Sequence, residues 1–186
     1  ISSGKHLLAL INDILDVTKI EAGLMDLFIQ PVDLSEVING AVSIGKALAK
    51  DKPVQMITEI QEKLPTTYGD KRRLRQVFLN VISNAFKFTK EGSVTIYADA
   101  TDTHLKVRVT DTGIGIAPEN YDMVFESFKQ VKNDNLEVVG TGLGMPISKY
   151  FVESHQGKMW FESQVGAGTT FFIELPILTE EQANTL

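Results

Sequence analysis

Residues 70–88 read Asp70-Lys71-Arg72-Arg73-Leu74-Arg75-Gln76-Val77-Phe78-Leu79-Asn80-Val81-Ile82-Ser83-Asn84-Ala85-Phe86-Lys87-Phe88. Asp70 is a good N-cap, because its carboxylate can accept from the free N–H groups of a first helical turn. Leu74, Val77, Phe78, Val81, Ile82 and Ala85 recur at helical spacing and predict one buried stripe. At about 100° per residue, Arg73, Gln76, Asn80, Asn84 and Lys87 fall in a narrow polar sector beside that stripe. Asn is a poor helix former, so two of them one turn apart, with a Lys three further on, is an unusual choice. For this helix alone, a solvated face explains the row as well as a binding function does.

Two glycine loops follow. Asp111-Thr112-Gly113-Ile114-Gly115-Ile116 ends an alternating strand, and Gly140-Thr141-Gly142-Leu143-Gly144 opens a helix. Pro118 and Met145 stand where a dinucleotide fingerprint needs its third Gly, and no Gly-Lys-Ser/Thr of a P-loop follows either loop. Asp111 carries the inward parity of its strand, and a buried carboxylate must be satisfied. It either caps the Thr112–Gly113 turn or meets a ligand. Between the loops, residues 117–139 read as a lid: Pro118 starts a helical turn, Phe125-Glu126-Ser127-Phe128-Lys129-Gln130 follows, and Lys132-Asn133-Asp134-Asn135 is polar and structureless. Phe125 and Phe128, three apart, are expected to pack. Lys129 and Lys132 are the cations of this stretch, diluted by Asp134 and Glu137.

The flanks supply the rest of a fold. Residues 1–22 predict an amphipathic helix whose apolar face (Leu7, Leu8, Leu10, Ile11, Ile14, Leu15, Val17, Ile20) is too wide for a lone surface helix, with Gly23 as its stop. Leu24 to Ile29 reads as a strand closed by Pro31. Asp33 and Glu36 have capping-box spacing before a helix over 34–50. Pro53 to Ile60 alternates as a strand, and Pro65 to Gly69 is turn chemistry. Strands at 94–98 and 105–109 flank a hairpin turn at 100–103. A helix over 144–154 precedes strands at 159–162 and 169–175, joined at Gly166-Ala167-Gly168, and a polar tail over 177–186 is expected to fray. Five or so strands and three helices predict an α+β fold, a two-layer α/β sandwich with the helices on one face of a mixed sheet. The 1–22 helix is expected to be a separate appendage.

The bulk properties bound the function. The 186 residues give room for one core plus an appendage, and 43% hydrophobic content is ordinary for a globular chain. A net charge of −6 argues against a nucleic-acid face. The absence of cysteine excludes disulfides and thiolate metal sites and fits a cytoplasmic setting. No stretch approaches the roughly 18 apolar residues of a membrane span, and no membrane contact is expected. The chain opens in mid-pattern at Ile1, and the expectation is a piece of a longer protein.

Taken in order, the Asn80–Asn84–Lys87 helix, the 111–116 loop, the 125–130 stretch and the 140–144 loop resemble the N, G1, F and G2 boxes of the histidine-kinase ATP-binding domain. That group shares a Bergerat-type fold with gyrase, the heat-shock ninety chaperone and mismatch-repair ATPases. The likeness covers roughly residues 1–176, and Gly-x-Gly-Thr-Thr-Phe-x-x-x-Leu-Pro at 166–176 matches the family's usual end. Gly4 to Gly23 resembles the second helix of a dimerisation hairpin, whose first helix carries the phosphorylated His in a His-Glu/Asp-x-x-x-Pro pattern absent here. The division implied is 1–23 hairpin helix, 24–176 catalytic ATP-binding domain and 177–186 tail.

The resemblance implies ATP and Mg²⁺ as cofactors. Asn84 would hold the metal, Asn80 and Lys87 would reach phosphate oxygens as the catalytic pair, and Asp111 would accept from the adenine amine. Gly140, Gly142 and Gly144 would present backbone N–H groups to phosphates, and Gly113 and Gly115 would let the chain pass close under the base. Ile116, Lys129, Thr141, Leu143 and Thr170 complete the implied contacts. Hydrolysing relatives carry Glu where this chain has Asn80, and an amide cannot take a proton from water at neutral pH. The implied nucleophile is therefore a neutral imidazole. His6, His104 and His155 are expected to be structural or surface residues. The implied partners are the phosphoacceptor helix, a dimer partner and a response-regulator receiver domain. A hydrolysing ATPase of the same fold, or a docking module without catalysis, are the alternatives.

Overall fold

The structure, a computed structural model, describes residues 2–50, 52–129 and 141–184. The first helix, α1 (Ser2–Glu21), ends where Leu24 and Gly23 donate N–H groups to the carbonyls of Lys19 and Ile20 at 2.8 and 3.0 Å. This paired bonding closes the last turn at the expected glycine. Strand β1 (Gln30–Asp33) leads into α2 (Leu34–Ala49), where Asp33 Oδ1 accepts from the Glu36 N–H at 3.2 Å. Then come β2 (Val54–Ile60), β3 (Thr66–Gly69) and the long helix α3 (Lys71–Phe88). The order continues β4 (Gly92–Ala100), β5 (His104–Asp111), α4 (Gly144–Ser154), β6 (Lys158–Gln164), β7 (Gly168–Pro176) and α5 (Glu180–Ala183).

Five strands form one mixed sheet in the order β2-β4-β5-β7-β6, with β2 parallel to β4 and the other pairs antiparallel. Period-two alternation puts Val94, Ile96, Ala98, Leu105, Val107 and Val109 on the covered face, all buried. Helices α2, α3 and α4 pack on it. Across the open face, Arg108 lies 4.1 Å over Tyr97, and Trp160 stacks on Phe172 at 5.1 Å. The two-layer reading of the sequence is therefore the architecture. Leu74, Val77, Phe78, Val81, Ile82 and Ala85 of α3 are buried as predicted. Each of the larger ones contributes about 1.5–3 kcal/mol by leaving water.

Several elements differ from expectation. Residues 24–29 form no strand; Met25 and Leu27 pack on the core while Leu24 and Phe28 stay 70% and 72% exposed. The apolar run is satisfied by packing, with no partner strand to pair it. The strand lies one step later, with Pro31 inside β1, pairing Tyr68 of β3 in a separate two-stranded sheet. An edge tolerates a proline that a central strand would not. Pro65 to Gly69, read as a turn, holds β3. The tail docks: Leu178 donates its N–H to Thr67 Oγ1 at 2.8 Å, Leu178 and Ala183 are buried, and a capping box at Thr179 starts α5.

The α1 helix is not a separate appendage. Arg73 Nη1 and Nη2 grip Asp16 Oδ2 and Oδ1 at 2.6 and 2.9 Å, with both side chains nearly buried. Arg73 also lies 4.5 Å over the Phe151 ring, and Val17 is buried against the core. Leu7, Leu8 and Leu15 remain more than half exposed on the helix's other side. Among the described residues, no helix is long and apolar enough to cross a membrane.

Candidate functional site

A cavity of about 460 Å³ opens between α3, the loop after β5, the start of α4 and α1. Asn80, Asn84 and Lys87 line it from α3; Asp111, Gly115 and Ile116 from the β5 loop; Lys129 from the segment beyond; and Thr141, Gly142 and Gly144 from the α4 entrance. Three implied positions, Leu143, Gly113 and Thr170, fall elsewhere, and a fourth is not described. Gly140, like Lys132 to Asn135, lies outside the described residues. Leu143 is fully buried in the core. Gly113 is not in the wall, and Thr170 is on the open face of β7, its hydroxyl 3.0 Å from Thr110. The β5–β7 register pairs Asp111 with Thr169, and it is Thr169 that lines the cavity.

Asp111 is 5% exposed. Its Oδ1 accepts from the Gly113 N–H at 2.8 Å and the Thr169 N–H at 3.3 Å, and Oδ2 accepts no hydrogen bond among the described residues. One oxygen closes the turn, and the residue lines the cavity. Burial pushes its pKa up to about 6, against the lowering effect of the two backbone donors.

The glycines of this loop are required by the chain's own backbone. A Cβ on Gly113 would stand 2.4 Å from the Phe88 carbonyl oxygen, and one on Gly115, whose φ is +69°, would stand 2.0 Å from the Gln164 carbonyl oxygen. The close approach is to the chain's own backbone, which locks the loop against the end of α3 and the end of β6.

The polar row on α3 divides. Arg73 and Gln76 are hydrogen-bonded to each other at 3.0 Å and serve the α1 contact. Asn80 Nδ2 donates to the Gly144 carbonyl and to Ser148 Oγ, both at 3.1 Å. The Gly144 carbonyl can only accept, so it fixes which end of the amide is nitrogen. With both N–H groups engaged, Asn80 offers only an oxygen, and an oxygen repels phosphate oxygens. In this arrangement the oxygen is the end of the Asn80 amide left free of the α4 contact. Asn84 makes no side-chain hydrogen bond among the described residues, and its amide lines the cavity uncommitted. Lys87 is half-buried with its Nζ 5.2 Å over the Phe88 ring, and burial lowers its pKa.

At the α4 entrance, Leu143 stands at the N-cap without a side-chain cap, and Thr141 Oγ1 accepts from the Leu143 N–H at 3.1 Å. An uncapped N-terminus lined by Gly144, Met145 and Pro146 presents the positive end of a helix dipole to the cavity. Lys129 pairs with Glu126 at the rim. Of the two aromatics expected to pack, Phe125 does, 5.8 Å from Phe161 and 4.7 Å beneath Lys149. Phe128 is 61% exposed with φ +64°. The helical turn stops at Phe125, so a three-residue spacing no longer brings both rings to one face.

Sequence reasoning missed the wall contributed by α1: Ala9, Leu10 and Asp13. The available signal was Asp13 and Asp16 one turn apart on a helix otherwise read for its apolar face. Burial raises the Asp13 pKa, the Thr141 hydroxyl bond lowers it, and the neighbouring Asp16 charge adds to the rise. His104 and His155 lie away from the cavity. His155 is buried, its Nδ1–H donating to the Phe151 carbonyl at 2.7 Å while Nε2 accepts from the Asp70 N–H at 2.9 Å. His104 sits beside Thr103 at the hairpin turn, and the His6 side chain is outside the described residues.

Residues 69–179 match the family model described as histidine kinase-, DNA gyrase B-, and HSP90-like ATPase. The chain is 41% identical over 190 residues to the non-motile and phage-resistance protein of Caulobacter vibrioides, covering 99% of this chain and 22% of that one. It is 38% identical over 177 residues to the histidine protein kinase DivJ of the same organism, covering 95% and 30%. Among solved structures, full-length ShkA in complex with AMPPNP superposes with a TM-score of 0.81 at 34% identity, covering 96% of this chain and 37% of that one. The chain thus spans less than a third of the length of these two curated relatives.

Proposed function

The chain belongs to the histidine kinase-, DNA gyrase B-, and HSP90-like ATPase family, and from that premise we propose that it is the catalytic, ATP-binding part of a histidine protein kinase in two-component signalling. In this reading it holds Mg-ATP for transfer of the γ-phosphoryl group to a histidine outside this chain. The observation that carries it is one cavity with complementary ends: a buried carboxylate with a spare acceptor at Asp111, and an uncapped helix N-terminus with Gly142 and Gly144 at the other. An adenine amine is a donor and fits the first; a polyphosphate is an anion and fits the second. The relative solved with AMPPNP supports the same nucleotide class.

The donor set also suits magnesium. Mg²⁺ keeps several waters and takes one or two protein oxygens, and among the described residues no cluster of three acidic or histidine side chains competes for it. Asn84 Oδ1 would be the direct ligand and Asn80 Oδ1 would order a bound water. When bound, the ion held by these residues would supply positive charge to offset that of the phosphates. Lys87 serves as a point charge toward phosphate oxygens. The pattern lacks a general base at Asn80, which disfavours attack by water and leaves the phosphoryl group for an imidazole with its own basicity. Residues 1–23 then belong to the dimerisation hairpin and 24–176 to the catalytic domain. The hairpin's first helix, a second copy and a receiver domain are the proposed partners.

The test mixes the chain with labelled ATP, Mg²⁺ and a hairpin peptide bearing the His-Glu/Asp-x-x-x-Pro pattern. Acid-labile phosphate on the peptide, with neither rapid phosphate release nor self-labelling by the chain alone, is the expected result. Acid-labile label on His6, His104 or His155 of the lone chain, or rapid hydrolysis, would refute it.

A further inference from the structure

Of the three α1 residues in the cavity wall, only Asp13 brings a charge. Its one hydrogen bond among the described residues is from the Thr141 hydroxyl to Oδ2, at 3.4 Å. No cation pairs with it there: Arg73 is committed to Asp16, and Lys129 to Glu126. A contact that long does not hold the helix in place. The Arg73–Asp16 pair does so, one turn along, together with buried Val17. The docked helix therefore carries an uncompensated carboxylate to the part of the cavity that Thr141, Gly142 and the α4 N-terminus prepare for an anion.

Resting on the nucleotide reading above, we infer that Asp13 is a specificity-determining residue: while α1 is docked it opposes the terminal phosphate, so the site prefers the diphosphate to the triphosphate. The chemistry is like-charge repulsion in a half-buried wall, where solvent screening is incomplete. It acts most on the phosphate nearest the α4 entrance, less on a diphosphate, and not on a nucleoside. Linkage makes the effect reciprocal: triphosphate binding must loosen α1 by the factor through which docked α1 weakens the triphosphate. Freed apolar residues of α1, among them Leu10, then become available to other helices. Burial of the Asp13 carboxylate against Thr141 agrees with a group held in the wall by its neighbours and not by its own charge.

The experiment titrates the full chain calorimetrically with adenosine, ADP and ATP, with and without Mg²⁺, for wild type, Asp13→Asn and Asp16→Asn. Asp13→Asn should tighten ATP relative to ADP by about tenfold, inside the range usual for coupled sites, and leave adenosine unchanged. Asp16→Asn, which frees the helix from Arg73, should move the ratio in the same direction. Hydrogen exchange along α1 should be faster with ATP than with ADP in wild type, and equal in Asp13→Asn. An unchanged ATP-to-ADP ratio in folded Asp13→Asn would overturn the inference. So would weaker Mg²⁺-dependent ATP binding, which would make Asp13 a metal ligand. Failure of wild type to bind adenosine or ADP would instead overturn the nucleotide reading, and this inference with it.

Discussion

Replacing Asp111 by Asn should raise the stability of the free chain and lower its affinity for adenine nucleotides. The two effects have opposite signs because they come from the two oxygens. In the folded chain the Asp111 pKa is lifted from 3.8 to about 6 by burial. At about 1.4 kcal/mol per unit, the charged form therefore costs the folded state on the order of 3 kcal/mol above pH 6. Between pH 3.8 and about 6 the folded chain binds more protons than the unfolded one. The contribution of Asp111 is thus fully favourable below 3.8 and is lost as pH rises through about 6. The amide oxygen can keep the Gly113 and Thr169 bonds while the buried charge disappears. Its NH₂ then stands where Oδ2 stood, a donor facing the adenine amine donor. Loss of a hydrogen bond to a charged acceptor costs about 1.5–3 kcal/mol, roughly a 10- to 150-fold weakening. Calorimetry with ADP and thermal melts at pH 7 read the two effects separately. For a chain of this size each kcal/mol moves the midpoint by about 2–4 °C. Unchanged ADP affinity in a folded variant would refute the adenine assignment, and a lower melting midpoint would refute the account of the buried charge.

Asn84→Ala should abolish the gain in nucleotide affinity that Mg²⁺ provides while leaving adenosine binding intact, as titrations with and without the metal would read; an intact gain would move the metal role elsewhere. His155→Ala should cost about 1–3 kcal/mol in a denaturant titration, because the buried Asp70 N–H loses its acceptor. Burial lowers the His155 pKa below 6.5, so its contribution is present above pH 6.5 and lost as pH falls through the folded value. That part of the acid slope should be missing from the variant. Arg73→Ala should cost about 3–5 kcal/mol by stranding nearly buried Asp16, and should speed hydrogen exchange along α1; unaltered exchange would mean that the ion pair does not hold the helix.

Between Asp70 and Pro176 the sequence predicted nearly every element, because each carries enough residues for its period to be counted: eighteen in α3, nine in β4, eight in β5. The misses are short or depend on a distant partner. Strands β1 and β3 have four residues each, too few for a period, and exist because they pair across more than thirty residues of chain. The tail looked frayed because its anchors, Leu178 and Ala183, are single apolar residues in a polar run. In the site, residues chosen by type at a fixed position, such as Asp111 and Asn84, line the cavity. Thr170, carried over from the resemblance, faces Thr110 on the open side, while its neighbour Thr169 lines the cavity.

The polar row on α3 shows why a surface-like pattern can be neither surface nor uniformly functional. Its five members share one sector, yet the structure ranks them by how many donors the fold already consumes. Arg73 is spent on Asp16 and Gln76, and Asn80 has given both N–H groups to α4. Asn84 has given none among the described residues, and Lys87 has only a ring beneath it. Binding free energy comes from groups that lose little on meeting a ligand, so under the proposed function affinity for the metal and phosphates would reside at the uncommitted end of the row, Asn84 and Lys87. The committed end sets geometry: Asn80 fixes the α4 entrance against α3, and Arg73 fixes α1 against both. Substitutions along this one row should therefore separate into two classes. Those at 84 and 87 change ligand binding with little effect on melting, and those at 73 and 80 change melting or helix docking first and binding as a consequence.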